Sequence, residues 1–175
     1  VRGVLDGLRS AQVAYLSPAA FTLLDSECVS KLSMECLGCL SPLQVEHLVT
    51  PGAFSGLIDG GLSALSPASL SAIASSQLHD ASAHAFEGLT ADQLACVIPA
   101  AFVGLDVAHV PMLDLSAVSA EHISNMSIAV LNQMSVNQLS SITDTSMSGF
   151  DSERLYAVRG VLDGLRSAQV AYLSP

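Results

Sequence analysis

Hydrophobic residues recur along this chain in pairs three residues apart, and the pairs themselves recur about every eight residues. Phe21 and Leu24, Val29 and Leu32, and Leu37 and Leu40 open the series. Written in octads from Ser17, the chain reads SPAAFTLL, DSECVSKL, SMECLGCL, SPLQVEHL and so on. Twenty such units account for 157 residues, with three irregularities: the extra residue Val49, the short unit 114–118 (DLSAV) and the seven-residue unit 159–165 (RGVLDGL). The fifth and eighth positions are apolar, and Ala81 is the only small residue among them. A spacing of three puts both side chains on one face of a single helical turn.

The polar positions say where each helix starts. The first position is Ser, Thr or Asp in fifteen of the twenty units, the residues that cap helix N-termini. Pro18, Pro42, Pro51, Pro67 and Pro99 follow at the second position, where a missing N–H costs nothing. One continuous helix is excluded, because its apolar stripe would drift by roughly 80° per octad. The pattern predicts a string of helices about six residues long, too short to persist alone. They need to stack their apolar faces into one core, so the expected fold is an all-α solenoid. Neighbouring octads also alternate: Phe21, Phe54, Phe86 and Phe102 sit at position five of one member, Gln44, Gln77, Gln93, Gln138 and Gln169 at position four of the other. That alternation predicts two-helix turns of about sixteen residues, ten to a period of 157. At about 9 Å per layer a period would span on the order of 90 Å.

A longer repeat encloses the short one. Val1 to Pro18 returns unchanged as Val158 to Pro175. The domain reading is therefore one full period over 1–157 and the start of the next over 158–175, as in a window on a tandem array. Charge adds a second pattern. Residues 32–153 contain no Lys or Arg but twelve acids, within a chain of net charge −10. Nucleic-acid binding needs a positive footprint, so no nucleic-acid partner is expected. The basic residues gather at Arg154, Arg159 and Arg166, the last two copied as Arg2 and Arg9. They are candidates for setting register when rods pack laterally. The longest apolar run, 94–105, contains Pro99 and is too short for the roughly twenty residues of a membrane span.

Candidate chemistry is sparse. Cys28 and Cys36 share position four of consecutive octads, which makes them a candidate disulfide; small buried thiols in slots used by Ala20, Ala53, Ala85 and Ala101 are the alternative. Cys36 and Cys39 form a lone CxxC without the second ligand pair of a zinc site. Asn125-Met126-Ser127 is a glycosylation sequon. His47, His79, His84, His109 and His122 fall at positions seven, six, three, four and four, so no repeated histidine site is expected; His79 and His84 with Asp80 are the nearest approach to a metal set. The serines recur as caps without a nucleophile elbow, and the carboxylates form no acid–base pair. No enzyme, cofactor or metal is expected.

The strings SPAAFTLL (17–24) and TADQLACV (90–97) resemble the repeats of the mesothelin, stereocilin and otoancorin superfamily. That resemblance implies a superhelical stack of short helices, an extracellular setting, and roles in adhesion and in attaching gels to cells. The functional expectation is the shaft of a very long filament whose partners are adjacent repeats and neighbouring rods. The alternatives are a solenoid that binds a peptide or glycan and an intracellular cytoskeletal scaffold.

Overall fold

The computed structural model describes residues 9–173; Arg2 and the rest of 1–8 lie outside the described residues. The described chain is all-helical, with thirteen α-helices of four to six residues and six short 3-10 segments. It contains no strand among the described residues, and no helix there is long and apolar enough to cross a membrane.

Most helices begin where their octad begins; Ala53–Gly56 instead starts at position four, with Pro51 ahead of it and a left-handed Gly52 as its cap, Val110–Met112 starts at position five, and 58–65 forms turns without a helix. Asp25, Ser33, Ser41, Ser66, Thr90 and Ser135 are extended N-caps whose side chains accept the main-chain N–H three residues on. Pro18, Pro42, Pro67 and Pro99 sit in first turns, as expected. The fifth and eighth positions are buried from Phe21 through Met147 and Phe150, and they form one continuous hydrophobic core. In the short unit 114–118, Leu115 and Val118 keep the same spacing and are buried. That unit therefore counts as a full one.

The packing departs from the expected pairing. Helices that touch are three units apart, not two, except for the consecutive pair Ser152–Ala157 and Arg159–Gly164. Ser10–Ala14 lies against Met34–Gly38, Pro18–Phe21 against Pro42–Glu46, and Ser26–Val29 against Ala53–Gly56. Ser75–Asp80 packs on both Ala53–Gly56 and Pro99–Gly104, its neighbours three units before and after. The same interval holds for Ile128–Leu131 with Ser152–Ala157 and for Val136–Ser141 with Arg159–Gly164. Main-chain bonds follow it too: Gly60 N–H donates to His84 O at 2.9 Å and Leu62 N–H to Ala85 O at 3.0 Å. The physical reason is the cap. Each extended residue at position one turns the chain, and a helix of one turn is too short to fold straight back on its predecessor.

Glycine at position seven permits the close approach. A Cβ on Gly56, Gly104 or Gly149 would stand 2.1, 1.9 or 2.2 Å from the carbonyl oxygen of Ser26, Ser75 or Ala120. Each of these is the second residue of the unit three earlier. Gly160, by contrast, has open space around it. Gly104→Ala is expected to destabilise the chain by about 3 kcal/mol through overpacking against main chain. Gly160→Ala is expected to change stability by less than about 1 kcal/mol. Urea denaturation of the two variants checks the contrast.

Candidate functional site

A helix of one turn leaves its last carbonyls unbonded, and in this fold those carbonyls face the core. Position four supplies their partners. Seven polar side chains are buried among the described residues: Gln44, Ser69, Gln77, His109, His122, Ser146 and Gln169. All seven stand at position four of their octads.

Each reaches the end of the unit four earlier. Gln44 Nε2 donates to Val13 O at 3.0 Å and to Leu16 O at 2.8 Å. Gln77 Nε2 donates to Val45 O and Leu48 O at 2.7 and 3.0 Å. Gln138 does the same to Val110 O and Leu113 O, and Gln169 to Leu139 O and Ile142 O. Ser69 and Ser146 donate to Leu40 O and Val118 O. The other end of each Gln turns back on its own helix: the Oε1 of Gln44, Gln77, Gln138 and Gln169 accepts the N-cap N–H at 2.8 to 3.1 Å. One amide thus joins two helices.

Two histidines perform the same task. His109 Nδ1 accepts the Asp106 N–H at 2.9 Å, and its Nε2 lies 2.9 Å from Ala81 O. His122 Nδ1 accepts the Ser119 N–H at 3.1 Å, and its Nε2 lies 2.8 Å from Val97 O. In both rings Nδ1 is the acceptor, so Nε2 carries the proton and donates. Each ring also packs on a position-five phenylalanine, with centroids 4.7 Å apart for Phe86 and His109 and 4.5 Å for Phe102 and His122. The expectation that the histidines form no repeated set is corrected here for these two. The available signal was their shared position with Gln. Imidazole and carboxamide both offer an acceptor and a donor at opposite ends, and that equivalence is invisible when residues are compared by type.

The arginines also serve the chain itself. Arg154, at position four, donates to Ser124 O four units earlier and pairs with Asp151. The Arg154 N–H, before any charge effect, holds the Asp151 carboxyl below its usual range. Arg159 donates to Tyr156 O and its guanidinium lies over the Tyr156 ring at 4.2 Å. Arg166 donates to Ile142 O and pairs with Asp144 at 2.8 Å.

Cys28 and Cys36 are both buried. Their helices do not stack on one another: Cys28's packs on Ala53–Gly56 and Cys36's on Ser10–Ala14. Burial, then the nearby Asp25, pushes the Cys28 thiol above its ordinary value. Asn125 is half-buried, and its Nδ2 donates to Glu121 O at 2.8 Å.

The suggested trio of His79, His84 and Asp80 does not assemble. His79 is exposed, and the Asp80 carboxylate accepts the Gly52 N–H at 2.7 Å. His84 gathers instead with Asp59 and Glu87, donor atoms within 4.8 Å of one another on the surface. One nitrogen and two oxygens suit a borderline cation such as zinc, which would compete with the His84–Glu87 bond at 2.7 Å. A groove of 310 Å³ beside Val49 is lined by Glu46, Thr50, Gln77 and Asp80 among others, and one of 230 Å³ runs along 157–161. Both lie at irregularities of the octad, but a third, of 350 Å³, lies between regular units and is lined by Glu121, Ser124, Ser148 and Asp151 among others.

No protein family, no curated protein and no solved structure matches this chain.

Gln77→Met removes the side-chain bonds to the Leu48 carbonyl and the Ala74 N–H, while Val45 O keeps its bond from the Leu48 N–H, and is expected to cost about 2 kcal/mol. His122→Leu is expected to cost a similar amount, and His122→Gln clearly less, in urea denaturation. The His84 pKa is raised above 6.5, first by its hydrogen bond to Glu87 and then by the charges of Glu87 and Asp59. The folded state therefore favours the protonated ring. The resulting stability is fully present below 6.5 and lost as pH rises through the raised value. Glu87→Gln is expected to lower the titration midpoint of His84, read from its ring-proton NMR signals.

Proposed function

We propose that the chain is a structural element: one period of an all-α solenoid in which three short helices complete each coil. The observation that carries this reading is the interval of three units between packed helices, kept across the described chain despite three irregular units. In a solenoid each coil contacts only its neighbours and apolar faces are buried along one axis, so layers add without limit. The acidic surface between the basic clusters supports solubility and spacing of such rods. The mechanical role follows from the clasps: pulling on one helix loads the helix four units away through a hydrogen bond in the core. The arginines, occupied within the chain, support a role in bracing coils before one in lateral register.

The extracellular setting rests on the resemblance to mesothelin-type repeats, with adhesion or gel attachment as the assembly it suggests. A cytoskeletal scaffold is the alternative setting. Binding of a peptide or glycan is the second reading, favoured by one observation: shallow grooves open on the surface near Val49, along 157–161 and between Glu121 and Asp151.

With three units per coil, twenty units rise on the order of 60 Å at about 9 Å per coil, shorter than the span expected from two-helix turns. Small-angle X-ray scattering of the 175-residue chain tests the reading. The expected radius of gyration is about 20 Å, against about 16 Å for a compact chain of this length. The compact value would reject the rod.

A further inference from the structure

One octad occurs at both ends of the described chain, and its two copies are covered differently. RSAQVAYL spans 9–16 and again 166–173. In the first copy Val13 is 0 % exposed; in the second its counterpart Val170 is 52 % exposed. Position four behaves in reverse: Gln12 is exposed and Gln169 is 0 % exposed. The first copy has helices above it, and the second has helices beneath it.

The first copy therefore displays what fits over the second. Ser10–Ala14 is covered by Met34–Gly38. Ser10 Oγ donates to Glu35 Oε1 at 2.8 Å, and the carbonyls of Val13 and Leu16 accept from Gln44. The clasps also reach the chain's end in register. Gln44, Gln77, His109, Gln138 and Gln169 follow one another every four units, each bonded to the unit of the one before. Twenty is a multiple of four, so Gln169 is the copy of Gln12 and the next link is a second Gln44.

We propose that the C-terminal face formed by 159–173 is a docking surface for a second copy of this chain, joined in tandem. The second copy's Met34–Gly38 covers Val170, its Glu35 accepts from Ser167, and its Gln44 clasps the carbonyls of Val170 and Leu173. The inference rests on the solenoid reading above and adds to it the register of the joint. The joint is then not a linker between separate bodies but one more interior coil.

Thiol labelling tests it. In a background of Cys39→Ser and Cys96→Ser, Val13→Cys and Val170→Cys are made singly, in the chain itself and in a two-period chain whose second copy continues from Ala19 after Pro175. Reaction with iodoacetamide follows exposure of the introduced thiol. In the single chain V170C is expected to react at least about tenfold faster than V13C. In the two-period chain V170C is expected to slow to the rate of V13C, and Gln44→Met in the second copy to speed it again. If V170C stays fast in the two-period chain while V13C is slow, the joint is open and the inference fails with the solenoid intact. If V13C is itself fast, the stacked-coil reading fails and the inference falls with it.

Discussion

A helix of four to six residues has more unbonded backbone groups than internal hydrogen bonds, since the first four N–H and last four C=O groups of any α-helix lack intrahelical partners. A fold made only of such helices stands or falls on how those groups are satisfied. Two positions of the octad do it here wherever they carry polar side chains. The residue at position one bonds the starting N–H groups of its own helix, as Ser41 does for Gln44. The residue at position four crosses the core to the finishing carbonyls of a helix four units back, as Gln44 does for Val13 and Leu16. Apolar burial at positions five and eight supplies the drive to stack. The crossing bond ties each helix to one four units back, beyond the helix it stacks on, and a buried carbonyl left unbonded costs more than a made bond contributes.

The octad, the cap and the two buried positions were legible in the sequence because each is local: spacing and residue type encode them within one helical turn. The interval at which helices pack was not. The alternation of Phe21-type and Gln44-type units has an even interval and suggested turns of two. In the structure it traces the hydrogen bonds, which span four units, while packing runs at three. An even alternation is compatible with a bond to the fourth unit and carries no information about contact with the third. The glycines at position seven, Gly56, Gly104 and Gly149, did hold that information. Their need is set by main chain far away in sequence, at Ser26, Ser75 and Ala120, and no local rule exposes it.

The surface carries the chemistry that the core does not use. His84, Asp59 and Glu87 meet because Gly60 and Leu62 bond to the main chain at His84 and Ala85, three units on. His109 and His122, chemically more capable in principle, are committed to holding carbonyls. The buried histidines are thus taken up by main-chain carbonyls, while the His84 cluster faces outward.

Helices pack on those three units away, yet the sequence returns after twenty, and twenty is not a multiple of three. In a tandem array, each period would therefore begin two-thirds of a revolution away from where the last one began. Any feature present once per period, such as the cluster of Arg154, Arg159 and Arg166, would point in three directions in succession before repeating its heading. Such a thread has no permanent front or back. A neighbour approaching from any side would meet the same marks in the same order, spaced at three times the length of a single period.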